Sequence, residues 1–564
     1  MTRNAESRFS HLPSADIQRS KFFRPTQHKT TFNAGELIPI FCDEVLPGDT
    51  FSMDMASLIR MSTPIFPTMD NAYLDTYFFF VPTRLVWEHW KEFNGENTQS
   101  YWTQTVEYEI PQIVSPQDPE SSGWDKGSIA DYFGIPTNVG NLSINALPFR
   151  AYVAIWNEWF RDQNTMPPAY FSKSDSTVVG MTYNGSFEDP LEDRINSALY
   201  GGCPLPVAKY HDYFTSSLPQ PQRGPAVDLP LYRDNIPVFT GPFNDRAPSD
   251  TPLTFEAVGH SEDYGSFGFK DVGSHNLQLS PLSTDAQPQF LNGGFSPNNL
   301  YADVSQVAVA TISQLRQAFQ LQKLYEKDAR GGTRYTEILK SHFGVDSPDA
   351  RQQRPEYLGG KRIPINIDQV LQTSQTSDVS PQGNTAAYSM TSDISNTFTK
   401  SFTEHGYIIG ICCVRTEHTY QQGIERMWSR RGRFDFYWPA LANISEQAVL
   451  VKEIFAQGTD ADNDAFGYQE AWADYRYKPS RVSGAFRSNY DQSLDAWHYA
   501  DYYEGNNSDF VLNGEWLAET PVNIDRTLAV SSSVEDQFIA DFYFKLECVR
   551  PIPLYSVPGL VDHH

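Results

Sequence analysis

The sequence predicts a mainly β protein, an antiparallel sandwich of the jelly-roll type carrying long loop insertions and a few helices. Three observations carry that expectation. The chain holds 38 Pro and 35 Gly, 73 of 564 residues, a density that suits turns better than helices. The runs apolar enough to be buried are short, widely separated and strand-like. No internal repeat is visible, which disfavours solenoids and propellers. A hydrophobic fraction of 40% and an aromatic fraction of 14% can fill a sizeable core.

The basic N-terminal arm, residues 1–30, carries six basic residues, Arg19, Lys21, Arg24 and Lys29 among them, against Glu6 and Asp16. The arm is therefore +4 in a chain of net charge −26, which leaves −30 for the jelly-roll domain expected over 31–564. Such an arrangement suits a protein with one face toward a polyanion; a plain solvated terminus is the simpler alternative. The first residues lack an apolar core, so no secretory signal is expected. No window approaches 18 consecutive apolar residues, so no membrane-embedded segment is expected either.

Residues 35–51 read as a strand closed by the Pro47-Gly48-Asp49 turn, and 73–82 as an aromatic strand buried on both faces. Residues 85–95 predict a short amphipathic helix, followed by a Pro/Ser/Asp-rich loop over 111–127. A second helix is expected over 149–164. Phe149, Tyr152, Val153, Trp156, Trp159 and Phe160 line one of its faces, and Met166-Pro167-Pro168 stops it. This stripe reads as core.

Between 224 and 300 the composition changes: nine Pro, eight Gly, three basic residues against nine acidic, no Trp and seven Phe. The segment is too aromatic for a linker and too irregular for a helix, so an insertion over about 226–300 is expected, packed on itself or on copies of itself. A surface excursion without function is the plain alternative. The chain then returns through a helix capped by Asp303 and ended by Gly331-Gly332, with Val304, Val307, Ile312, Leu315, Phe319 and Leu324 on one face. A shorter helix over 333–343 turns Tyr335, Ile338, Leu339 and Phe343 inward. An ordered loop bearing Arg351, Arg354, Lys361 and Arg362 follows, with Gly359-Gly360 as a turn. Residues 405–416 are apolar enough for a central strand. Residues 537–549 alternate, with Phe538, Ala540, Phe542, Phe544, Leu546 and Cys548 on one face and Asp541, Lys545 and Glu547 on the other.

Enzyme signatures are missing: there is no P-loop, H-E-x-x-H, G-x-S-x-G or G-x-G-x-x-G. No catalytic role and no cofactor are expected. Asp460, Asp462 and Asp464 begin like a calcium loop, but Ala465 replaces the turn glycine and Ala471 the twelfth-position glutamate, so an acidic turn without metal is expected. Five cysteines without a C-x-x-C pair suggest reduced thiols and a cytosolic folding compartment. The informative constellations are basic. Arg426, Arg430, Arg431 and Arg433 lie among Trp428, Phe434, Phe436, Tyr437 and Trp438; Arg476, Lys478 and Arg481 alternate with Tyr475 and Tyr477. Single-stranded nucleic acid asks for this combination, each stacked base contributing roughly 1–3 kcal/mol. Subunit interfaces are enriched in the same residue types, and the sequence leaves both readings open. Any DNA contact would be non-specific and salt-sensitive.

The run LYEKDARGGTRYTEILKSHFGVDSPDARQQRPEYLGG (324–360) closely resembles the major capsid proteins of the small single-stranded DNA phages, the Microviridae, and most of all their gokushovirus branch. FFRPTQHKTTFNAGELIPIFCDEVLPGDTF, IWNEWFRDQN, CPLPVAKYHDYFTSSLPQPQRGP, YRYKPSRV and the C-terminal RPIPLYSVPGLVDHH extend the resemblance over nearly the whole chain, least of all at 226–300. The resemblance implies an eight-stranded jelly roll whose copies close a T=1 icosahedral shell around circular single-stranded DNA. It implies partners: copies of itself, the genome, internal scaffolding, DNA-pilot and small DNA-binding phage proteins, and a bacterial surface receptor. It places the protein in a virion capsid assembled in the host cytoplasm. The insertion would form a protrusion at the threefold axes, with Phe239, Phe243, Phe255, Phe267, Phe269 and Phe290 as threefold or receptor contacts. The arm and the arginine clusters would face the interior. The competing class is a carbohydrate-binding or carbohydrate-active β-sandwich, with exposed Trp and Tyr stacking on sugars.

Overall fold

The computed structural model describes residues 17–98, 106–117, 122–182, 190–225, 312–374, 381–505 and 509–555, isolated positions between them, and the backbone of short strands within 238–302. It is mainly β. Nine strands build its centre: β1 (Ser20–Phe23), β2 (Thr26–Phe32), β3 (Glu36–Val45), β4 (Thr50–Met61), β5 (Ala72–Pro82), β6 (Glu356–Pro364), β7 (Thr391–Ser401), β8 (Gly406–Thr416) and β9 (Phe538–Arg550). One antiparallel sheet runs β2-β9-β4-β7, with β1 pairing the far end of β9; the other runs β6-β5-β8-β3.

Alternation makes the two sheets face each other. Along β9 the side chains of Phe538, Ala540, Phe542, Phe544, Leu546 and Cys548 are buried, as the period of two requires. They meet the inner face of the second sheet: the rings of Phe41 and Phe544 are 5.1 Å apart, and those of Phe78 and Phe398 5.9 Å. The second sheet is buried on its other face too. Phe79, Val81, Ile409, Ile411 and Cys413 pack under helix α1 (Leu147–Ile155) and the π-helical turn Trp156–Phe160. That double burial is why β5 and β8 read as continuous apolar runs rather than alternating ones. β8 is central, between β5 and β3.

Several elements differ from expectation. The turn after β3 leads straight into β4, which continues to Met61 with alternate residues buried. The helix expected over 85–95 is split into single turns at Thr83–Val86 and Trp90–Phe93. The chain goes extended at Trp87, whose buried ring donates its indole N–H to Asp175 at 2.6 Å. The Gly359-Gly360 segment is strand β6, not a loop. A Cβ on Gly360 would lie 2.2 Å from the Thr76 carbonyl oxygen and one on Gly359 2.4 Å from that of Thr397, so these glycines allow close approach of neighbouring backbone. Helix α2 (Ile312–Gly331) buries none of its side chains, and Ile312, Phe319 and Leu324 are exposed. Asp303, Val304 and Val307 lie outside the described residues. Tyr335 and Phe343, expected inward, are also exposed. The periodicity identified a face that favours burial, but nothing among the described residues buries it.

Two compact units are distinguished: 1–221 with 328–564, and 222–327. The second contains an antiparallel sheet ordered Leu277–Pro281, Phe267–Asp271, Thr254–Ala257, Phe295–Pro297, and a separate pair, Val238–Thr240 with Leu300–Ala302. Phe239, Phe255, Phe267 and Phe269 stand on these strands, Phe255 opposite Phe267; Phe243 and Phe290 lie outside the described residues. No helix among the described residues is long and apolar enough to cross a membrane. All five cysteines are unbonded.

Candidate nucleic-acid and subunit interface

Beside the sandwich, the hairpin Glu446–Leu450 and Ala465–Glu470 contributes to a smaller core of Tyr213, Phe214, Tyr420, Val449, Ile454, Phe466 and Phe510. Over this core lies a groove of about 970 Å³. The two basic-aromatic runs picked out in the sequence both line it: Arg426, Trp428 and Arg430 from the first, Arg476, Lys478 and Arg481 from the second. Arg487 also lines it, as do Tyr213 and Tyr420. Spacing gave no sign of these three, because only the fold brings them together.

The groove's cations are not free. Arg426 sits 3.4 Å from Glu453, whose carboxyl is raised above its usual range by burial. Arg430 pairs with Asp474 and lies 4.3 Å over the Tyr475 ring. Arg476 reaches Glu470 at 2.7 Å, and Lys478 and Arg481 share Glu425. Tyr213 and Tyr477 stack at 5.0 Å, and burial pushes the Tyr477 hydroxyl up to about 12. Beyond the groove, Arg431 and Arg433 are exposed, and Arg433 lies 4.8 Å from the Trp438 ring. The Asp435 carboxylate accepts the backbone N–H groups of Gly432 and Arg431, each at 2.7 Å, which holds its pKa below the usual range.

None of the N-terminal candidates lines this groove. Lys21 pairs with Glu547 and Arg24 with Asp43, each at 2.6 Å, while Lys29 is exposed on β2 and Arg19 beside the Gly48 turn. The basic residues of 344–362 are mostly engaged in structural pairs. Arg354 holds Asp349 and stacks 4.4 Å from Trp159, Lys361 pairs with Asp393, and Arg362 with Asp75. Buried Asp75 also takes Arg415 and the Tyr210 hydroxyl, with both guanidinium groups about 4 Å from the Tyr210 ring. The Asp460–Asn463 turn directs the Asp462 carboxylate at the backbone N–H groups of Gln457 and Gly458, each at 2.8 Å.

Residues 10–560 match the family model described as "Capsid protein (F protein)". The chain is 42% identical to the capsid protein VP1 of Bdellovibrio phage phiMH2K, covering 99% of this chain and 98% of that one. It is 44% identical to the capsid protein VP1 of Spiroplasma virus 4 over 98% and 97% of the two chains, and 39% identical to that of Chlamydia phage 1 over 98% of each. The resemblance carried by residues 324–360 is thus borne out along the full length. The chain belongs to the phage capsid protein (F protein) family, and is a structural, non-enzymatic component of the virion.

Proposed function

We propose that copies of this chain close a T=1 icosahedral shell around the circular single-stranded DNA genome of a small bacteriophage. The observation that carries the reading is the strand order. Numbered along the chain, β2 to β9 are eight strands arranged 1-8-3-6 in one sheet and 5-4-7-2 in the other. That winding supports the reading of an eight-stranded jelly roll, an architecture recurrent in capsids. The groove over Tyr213 and Tyr420 is the DNA-facing element: Arg476, Lys478 and Arg481 stand more than half exposed despite their pairs, among rings able to stack bases. Arg19 and Lys29 of the arm add exposed charge. The 226–300 insertion, whose seven Phe favour company, serves as the threefold protrusion and receptor contact. Scaffolding, DNA-pilot and small DNA-binding proteins complete the assembly in the host cytoplasm.

The test is particle composition. Replacing Arg476, Lys478 and Arg481 by Gln should leave uniform icosahedral particles while lowering their retained DNA, more steeply as salt rises. Unchanged DNA content would sink the groove assignment. A chain that stays monomeric in the presence of its scaffolding partner would sink the shell.

A further inference from the structure

One surface has properties that nucleic-acid binding does not require. Ile424, Met427, Trp428, Phe434, Phe436, Tyr437, Trp438 and Ile444 are each between 39 and 73% exposed. Taking about 200 Å² per side chain, this stretch leaves on the order of 800 Å² of apolar surface in water. The largest apolar patch on a typical monomer is roughly 300–600 Å², whereas each partner of a standard protein interface buries about 800 Å².

The stretch is held in shape without a partner. It runs through three 3-10 turns, Arg426–Ser429, Arg433–Asp435 and Pro439–Leu441. The Trp438 indole donates to the Arg433 carbonyl at 3.1 Å, the Tyr475 hydroxyl accepts the Tyr437 N–H at 3.2 Å, and the Trp472 indole donates to the Leu441 carbonyl at 2.8 Å. A segment ordered before it binds avoids much of the ordering cost of association. Aromatic anchors interleaved with arginine are also the composition of interface hot spots.

We propose that residues 424–444 form a subunit contact that docks on a second copy of this chain. The capsid family supplies the partner, and the aliphatic part of the surface selects it over DNA. Arg426 and Arg430 are already paired within their own chain, so Arg431 and Arg433 remain to meet an incoming surface. Residues 31–564 carry a net −30, so another copy has carboxylates in excess for those two arginines to meet. Ile424, Met427 and Ile444 add aliphatic surface on which no base stacks but which a protein partner can bury. The inference goes beyond the DNA reading: the groove's outer wall faces a neighbour and its cations face the genome.

The experiment uses the full-length chain expressed with the other phage proteins, comparing wild type with the double variant Phe434→Ser, Phe436→Ser, neither of which lines the groove. Both side chains are exposed, so the expected result is a chain with wild-type circular dichroism and melting but a fall in particle yield of about tenfold or more, the protein remaining in slowly sedimenting species. Particles at wild-type yield overturn the proposal. Particles at wild-type yield that have lost DNA overturn it as well and assign the stretch to the genome. A photocrosslinker in place of Phe434 gives an independent readout in wild-type-like particles. Chain-to-chain adducts support the contact, and adducts to DNA alone overturn it while leaving the shell reading intact.

Discussion

Residues 149–160 and 424–438 each carry five aromatic side chains, and the fold treats them in opposite ways. In the first, Phe149, Tyr152 and Trp156 are fully or almost fully buried against the second sheet. In the second, Trp428 and Phe434 are 70 and 73% exposed. Composition does not separate them; arrangement does. The first places its rings on one helical face, with the polar atoms provided for: the Tyr152 hydroxyl donates to the Leu37 carbonyl and the Trp156 indole to that of Pro206, each at 2.7 Å. The second interrupts its rings with four arginines and a glycine, so the rings do not fall on one helical face and the backbone settles into short 3-10 turns. A buried stripe stabilises one chain. An exposed one of the same composition is available to stabilise an assembly.

The largest expected effect tests that division directly. Trp156→Ala removes a fully buried ring and leaves the Pro206 carbonyl without its donor, and should cost about 3–5 kcal/mol in the isolated full-length chain. Trp428→Ala should stay within about 0.5 kcal/mol in the same urea titration. If the two variants unfold at similar denaturant concentrations, the comparison between stripe and surface stretch breaks.

The same contrast holds for charge. The surface stretch leaves Arg431 and Arg433 exposed, whereas the interior holds a buried cationic clamp. His418 lies with Nδ1 3.0 Å from Asp501 and Nε2 2.7 Å from Glu519, and Lys209 reaches Asp501 at 3.1 Å. Burial alone would lower the His418 pKa, but the Glu519 and Asp501 carboxylates more than reverse this and raise it to about 9. A folded-state value above the unfolded one of about 6.5 means that the clamp's contribution is complete below pH ~6.5 and is lost as pH climbs through 9. Its size is on the order of 3 kcal/mol. Unfolding free energies measured from pH 6.5 to 9.5 should fall accordingly, and His418→Gln should flatten that slope. A wild-type chain with no slope in this window would show that the imidazolium does not bridge the two acids.

These contrasts also explain what the sequence could reveal. Strand β9 was legible because its alternation reports burial on one face, and β8 because an unbroken apolar run reports burial on two. Strand β6 was not, since Gly359-Gly360 signals a turn by composition but serves close packing against Thr397 and Thr76. The apolar face of α2 was legible as a pattern and misleading as a location, because periodicity says nothing about which chain covers it. Arg426, Arg430, Arg476, Lys478 and Arg481 stood out as basic-aromatic runs and do share one groove. Their acidic partners Glu453, Asp474 and Glu470 did not, nor did Tyr213 and Tyr420, because pairing across the fold leaves no local spacing to read.

The smallest effect expected is the most discriminating for the groove. Arg476 and Glu470 pair at 2.7 Å with side chains 60 and 47% exposed, a setting in which an ion pair contributes about 0–1 kcal/mol. Arg476→Ala should therefore leave the urea midpoint of the isolated chain nearly unchanged. A structural arginine and a DNA-facing one differ in what else changes. If the guanidinium exchanges Glu470 for phosphate when the genome is present, the variant particles should lose DNA at a lower salt concentration than wild type, although the chain itself is no less stable. If stability falls by more than about 1 kcal/mol while salt sensitivity is unaltered, Arg476 belongs with Arg430, whose pair with Asp474 is mostly buried and holds the groove wall together.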